Sequence, residues 1–332
     1  MNIFIWSLSL TIIILSYFFI SFNNIQFHKY NNATLTRLPF IDLPHFNYNG
    51  KCGELFQYPP SSQRDLIMYS HAHSPLWNIQ QFEIEQTLTI MRASLPNVTA
   101  VVFTIGEIPL EFSNLMKRFN VIEVPGDIKY ENWNGVNARI PLALEYLKNH
   151  QNQYDRVIWS DLRDVFYFTD IFKTFSSNDL YWLAESTGTK NFTFYNRYPH
   201  FVWMLNFKGK KMTKKFMENG NVGLNGGLGM GGIHKMIQFL NKWNDLIEFE
   251  YVSKWGYDQT LLNLLTLNEF VSNNLHLSIE KCTQRMCFIP DQLSFNNGVA
   301  YYPSGCSPIV THKGVPDSWR SVNGSVAVPE DK

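Results

Sequence analysis

Two carboxylates three residues apart, Asp161 and Asp164, stand where the apolar run Arg156-Val157-Ile158-Trp159-Ser160 ends and a second one, Val165-Phe166, begins. Acids at the carboxyl end of a buried strand seldom serve packing, because a charge taken out of water needs a partner. In an open α/β sheet that end opens on the ligand crevice. Two converging carboxylates there suit a hard divalent cation bridging to phosphate oxygens. The string also reads as a solvated loop in which Arg163 pairs with Asp161 or Asp164.

Three later clusters could join them. In Asn221-Val222-Gly223-Leu224-Asn225-Gly226-Gly227-Leu228-Gly229-Met230-Gly231-Gly232 the glycines leave backbone bare for close approach to a ligand, or mark a bulge inside a strand. The segment lacks the Lys-Ser/Thr ending of a phosphate loop. In Trp255-Gly256-Tyr257-Asp258-Gln259-Thr260-Leu261-Leu262-Asn263, Asp258 is either a site acid or the N-terminal cap of a helix. Ser307-Pro308-Ile309-Val310-Thr311-His312-Lys313-Gly314 is a short strand delivering a histidine at its end. A lone histidine is more often a structural hydrogen bonder than a ligand. His71 and His73, after the first strand, are candidates for nucleobase contact or for a hydrogen-bonded loop.

Periodicity supplies the elements that would hold these groups. Leu66–Ser70, Val98–Ile105, Val121–Val124 and Arg156–Ser160 read as strands, and 80–93, 110–119 and 137–148 as helices between them. This βαβα rhythm predicts right-handed crossovers and a mostly parallel sheet with helices on both faces. Beyond Asp164 the rhythm loosens into the aromatic segments 181–183 and 192–205 and a basic run, Lys208 to Lys211 with Lys214 and Lys215, which reads as a solvated face. Helices are expected again at 234–247 and 256–267.

The chain of 332 residues is 45% apolar and 17% charged, enough for one large domain, and its net charge of zero excludes the basic footprint of a nucleic-acid binder. Ile3 to Phe22 is almost wholly apolar, long enough to cross a bilayer, and has no evident cleavage site, so residues 1–22 are expected to be a signal anchor. Residues 23–63 read as a stem or an irregular wrap, and 64–332 as the catalytic body. Asn-x-Ser/Thr triplets at Asn32, Asn97, Asn191 and Asn323 fit a luminal body. So does an even count of four cysteines, with Cys282 and Cys287 close enough to pair and Cys52 and Cys306 left as a staple. Four reduced thiols are the alternative.

In this order the clusters resemble GT-A fold glycosyltransferases that transfer from nucleotide-diphosphate sugars. Asp161-Leu162-Arg163-Asp164-Val165 is similar to their Asp-x-Asp region in its Asp-x-Arg-Asp variant, Asn225-Gly226-Gly227 to their Asn-x-Gly element, and Asp258-Gln259 with Leu262-Asn263 to a late Asp-Gln-x-x-Leu-Asn segment. His312-Lys313 is similar to a late His-Lys pair. The likeness implies a GT-A, Rossmann-like α/β domain behind the membrane helix. It also implies a metal shell of Asp164 and His312 with Asp161, which suits Mn2+ or Mg2+ rather than zinc. The Asp spacing departs from the family's, and the Arg-Asp-Val alignment makes Asp164 the direct ligand and leaves Asp161 to the ribose or a metal-bound water. The donor, a UDP-sugar by this likeness, would contact Arg139, Asn225, Gly226, Gly227 and Lys313. Asp258 and Gln259 would serve catalysis, with Asp258 as base in an inverting reaction. The expected protein is a type II membrane hexosyltransferase of the Golgi or endoplasmic reticulum lumen acting on a glycan, protein or lipid. An inactive glycan-binding protein and a metal-dependent phosphohydrolase are the competing classes.

Overall fold

The computed structural model describes residues 41–72, 77–185, 194–218, 223–288 and 293–313. The expected span 1–22, His73, and the triplets at Asn32, Asn191 and Asn323 lie outside the described residues. Among the described residues no helix is long and apolar enough to cross a membrane.

The first half alternates as its periodicity requires. Strand β1 (Asp65–Ala72) is followed by α1 (Trp77–Ser94), β2 (Thr99–Ile105), α2 (Leu110–Arg118), β3 (Val121–Pro125), α3 (Gly135–Asn149) and β4 (Arg156–Ser160). Then come the short β5 (Val165–Tyr167), β6 (Leu180–Ala184), α4 (Phe194–Glu218), which is kinked at the non-helical Gly209, the glycine-rich β7 (Leu224–Gly232), α5 (Ile233–Asn244), α6 (Tyr257–Leu265) and α7 (Glu269–Asn273). Five three-residue strands follow: β8 (Ser278–Glu280), β9 (Met286–Phe288), β10 (Ser294–Asn296), β11 (Val299–Tyr301) and β12 (Val310–His312).

The main sheet runs β3-β2-β1-β4-β7-β6-β8. Strands β1 to β4 pair in parallel, β7 runs antiparallel to both β4 and β6, and β8 is parallel to β6. Alternating side chains feed two cores. Leu66, Met68, Val101, Phe103, Val157 and Trp159 pack with α3, and with Met236, Phe239 and Trp243 of α5. Ile67, Tyr69, Val102 and Ile158 pack against Ile84, Leu88 and Met91 of α1, at the spacing of one helical face, and against Phe112 and Met116 of α2. Strands buried on both faces carry continuous apolar runs, which is why they were readable.

A second sheet, β5-β12-β9, forms from distant segments. β12 pairs antiparallel with β5 in the register His312 opposite Val165, and parallel with β9. This pairing matters most for the site, because β5 begins at the residue after Asp164.

The described part of the segment 23–63 is a wrap. Ile41, Leu43, Phe46 and Cys52 are buried. Asn47 accepts from the Ser307 backbone N–H at 3.1 Å and donates its own to Ser307 Oγ at 2.9 Å, while the Tyr48 hydroxyl donates to the Pro308 carbonyl at 2.7 Å. Both expected disulfides are present, Cys52–Cys306 and Cys282–Cys287. Cys52–Cys306 closes a loop with a sequence separation of 254 residues. Loop-closure entropy makes such a link worth several kcal/mol in the unfolded chain. Cys52→Ser with Cys306→Ser should therefore lower the unfolding free energy by roughly 2–4 kcal/mol, measured by urea titration. A midpoint equal to wild type would show that the wrap needs no covalent tie.

Candidate functional site

Asp161, Asp164 and His312 converge, each offering one ligand atom, with those atoms all within 4.8 Å of one another. Two pairings bring them together. β4 hydrogen-bonds along β7 as far as Ser160 opposite Leu228, and one residue on the Asp161 N–H donates to the Gly227 carbonyl at 2.7 Å. The β5–β12 pairing sets His312 beside Asp164, and it continues as the Lys313 N–H donates to the Asp164 carbonyl at 2.8 Å. His312 Nε2 then lies 3.2 Å from Asp164 Oδ1 and 3.4 Å from Asp161 Oδ2.

Neighbouring cationic groups keep the triad's carboxyls charged. Burial opposes charge on both carboxyls, but Arg139 and His312 outweigh it at Asp161 and His312 does so at Asp164, holding both below their ordinary range. Burial likewise disfavours the imidazolium of His312, yet Asp164 and Asp161 override it and push the group up to about 9. A proton and a divalent metal therefore compete for the same atoms, as expected of a mixed N/O site. His312 Nδ1 is buried without a hydrogen-bond partner, so the ring's bonding is directed through Nε2 to the carboxylates. The residues fit a divalent cation held by two oxygens and one nitrogen.

Arg139 links the triad to the glycine strand. It is 4% exposed, donates from Nη1 to Asp161 Oδ1 at 2.6 Å and from Nη2 to the Gly226 carbonyl, and lies 3.4 Å from Asp258 Oδ2. Its guanidinium sits 4.6 Å over the Trp159 ring. The glycine segment is a buried central strand, and its closest approach to the acids occurs at two glycines. A Cβ at Gly227 would lie 2.3 Å from Asp161 Oδ2 and 2.6 Å from His312, and one at Gly226 would lie 3.0 Å from Asp258 Oδ2. The pairing with β6 shifts from Trp182 opposite Gly229 to Ala184 opposite Leu224, which leaves the extra residues on β7, so the glycine segment is also bulged.

Asp258 is not the helix cap. The N-cap of α6 is Gly256, and the Asp258 N–H donates to Asn137 Oδ1 at 2.9 Å, so the cap comes from α3. Gly256 has φ +79°, and a Cβ there would strike the Trp203 ring at 2.3 Å. This frees the Asp258 carboxyl to meet Arg139. Burial, only partly offset by Arg139, pushes Asp258 up to about 6.

Asn225 and Gln259 reach a carboxylate that the sequence did not disclose, Glu185, which follows β6 directly. Glu185 Oε1 accepts from Asn225 Nδ2 at 2.7 Å and Gln259 Nε2 at 2.8 Å, and Oε2 lies 2.7 Å from His200 Nε2 of α4. Neither Glu185 nor His200 falls in a motif, so periodicity gave no signal. Lys313 is exposed, with Nζ 5.9 Å above the Phe288 ring. His71 is stacked on Phe112 with ring centroids 4.2 Å apart, in the core rather than the site. Arg163 pairs with Glu83 at 3.2 Å and reaches Asp164 only at 3.9 Å. Of the basic run, Lys210, Lys211, Lys214 and Lys215 are exposed on α4 as a solvated face requires, whereas Lys208 is partly buried, pairing with Glu248 and lying over the Tyr257 ring.

No family model matches the sequence, and no curated protein matches it. Among solved structures the chain is similar to an active-site mutant of LgtC, at 14% identity and a TM-score of 0.46, with 76% of this chain and 88% of that one covered.

The Asp258 shift sets a pH dependence. A carboxyl titrating higher folded than unfolded binds its proton more tightly in the folded state, so it adds stability below the unfolded value that is lost as pH rises through about 6. Asp258→Asn removes this loss, and its melting temperature relative to wild type should be higher at pH 7.5 than at pH 4.5. Calorimetry at the two pH values checks this, and a constant difference would rule out a buried, raised Asp258.

Proposed function

We propose that this chain is a metal-dependent glycosyltransferase, moving a hexose from a UDP-sugar or similar nucleotide-diphosphate donor to a glycan, protein or lipid acceptor. The observation that carries this reading is the convergence of Asp161, Asp164 and His312 beside the bare backbone of Gly226 and Gly227, with Asp258 and Gln259 of α6 set against the same stretch of strand. Asp161, Asp164 and His312 would hold Mn2+ or Mg2+. Such a cation, when bound, stabilises negative charge on a departing diphosphate.

The chain's own groups have consistent tasks. Lys313, next to His312, adds positive charge where the leaving group develops its own. Arg139 holds Asp161 and steadies Asp258 across the glycine pair. An acid near pH 6 is suited to take a proton from an acceptor hydroxyl, which is the part Asp258 would play in an inverting reaction. Asn225, Gly226, Gly227 and Gln259 would line the sugar.

A luminal type II topology, with residues 1–22 as the anchor and the body in the Golgi or endoplasmic reticulum, belongs to the same proposal. Two disulfides and an exposed Asn97 in the turn between α1 and β2 support it.

Incubating the protein with manganese and a panel of nucleotide sugars, and measuring nucleoside diphosphate release, tests the reaction. Asp164→Ala or a chelator should lower turnover by more than roughly 10²-fold. Full turnover in either would overturn the metal assignment. Expressed in a eukaryotic secretory system, the body should resist protease in sealed microsomes and shift on glycosidase treatment. Cleavage by protease added outside the vesicles would refute the luminal placement.

A further inference from the structure

Three amide side chains near the glycine pair share one arrangement, each turning its carbonyl to a backbone N–H of β7. Asn263 Oδ1 accepts from the Leu224 N–H at 2.7 Å, Gln259 Oε1 from Gly226 at 3.2 Å and Asn225 Oδ1 from Gly227 at 2.7 Å. A backbone N–H only donates, so each amide's orientation is set by chemistry. The three NH2 groups therefore point the other way, to Glu185 and His200.

The tautomer of His200 follows. Asn263 Nδ2 lies 2.9 Å from His200 Nδ1, which must accept, so the ring proton sits on Nε2 and is donated to Glu185 Oε2 at 2.7 Å. Glu185 thus accepts from His200, Asn225 and Gln259. Burial opposes its charge, but His200 and the two amides hold its carboxyl below the ordinary range. His200 is buried at the back, its side chain 1% exposed, whereas that of Glu185 is 17% exposed.

We propose that Glu185, backed by His200, is the positioning residue for the sugar side of the site, fixing Gln259 and Asn225 against the Gly226-Gly227 backbone. This rests on the transferase reading, which places the sugar against those two amides. The network specifies a carboxylate at 185 and rejects its amide. In Glu185→Gln with the carbonyl kept on Asn225 and Gln259, the new NH2 meets the His200 Nε2–H. His200 cannot change tautomer, because Asn263 holds Nδ1, and Asn263 cannot turn, because the Leu224 N–H holds Oδ1. With the new amide reversed, its NH2 meets the amides of Asn225 and Gln259.

The test compares wild type, Glu185→Gln and Glu185→Asp in UDP-hexose turnover and in UDP affinity by calorimetry, both with manganese. Glu185→Gln should lower kcat by roughly 10²-fold while UDP affinity stays within about twofold of wild type. Glu185→Asp keeps the charge at a shorter reach and should lose about tenfold in kcat, and it decides the matter if the amide variant does not fold. A kcat near wild type in the folded variants, or UDP affinity falling in parallel with kcat, would overturn the inference alone. A wild type that binds no UDP and turns over no nucleotide sugar would overturn the transferase reading, and the inference with it.

Discussion

The centre of this protein depends on four residues of one strand, Leu224 to Gly227, that take bonds from side chains where a sheet would normally supply backbone. The carbonyl of Asn225 accepts from Trp182 Nε1 and that of Gly226 from Trp159 Nε1, each at 2.7 Å. The N–H groups of Leu224, Gly226 and Gly227 go to three amides. Buried peptide groups must be satisfied, and the shifted register with β6 leaves this stretch to be satisfied by whatever packs around it. That need gathers Arg139, Asn225, Gln259 and Asn263 onto one short length of chain. The absence of a Cβ at Gly227 then lets Asp161 and His312 approach to distances no other residue would permit, and at Gly226 it leaves Asp258 in close contact.

Charge is distributed with similar economy. Asp161 and Asp164 share His312, and Asp161 also takes the close end of Arg139. Asp258 receives only the distant end of the same guanidinium. Burial works against charge on both acids; at Asp161 Arg139 and His312 outweigh it and hold the carboxyl well below its ordinary range, whereas at Asp258 the distant end of Arg139 only partly offsets it and the carboxyl is pushed up to about 6. The Nε of Arg139 is buried without a hydrogen-bond partner, so the group is held by its two terminal nitrogens and by the Trp159 ring.

Much of this was legible in the residues, for identifiable reasons. The first four strands and three helices are apolar and periodic, three of the strands are buried, and their boundaries fall within a few residues of expectation. Asp161, Asp164 and His312 could be paired only through the order of their motifs, because 148 residues separate the last two. The strands joining them have three residues each, too short for any period to emerge. Asp258 looked equally like a cap because the true cap, Asn137, comes from another helix. Glu185 and His200 carry no local signature, since their meaning lies in amides from β7 and α6. The wrap at 41–63 is built from short 3-10 turns and single contacts, a pattern that sequence alone does not separate from a stem.

The β5–β12 pairing carries a consequence for the life history of the chain. During vectorial synthesis β4, β5 and both aspartates emerge long before β12, so the body could collapse around its main sheet while the acids still lack their imidazole. Contacts of such sequence separation form late and slowly. The full set of converging ligand atoms is thus withheld from the nascent protein and completed only when β12 docks, so the meeting of Asp161, Asp164 and His312 reports that distant segments of the domain have been assembled.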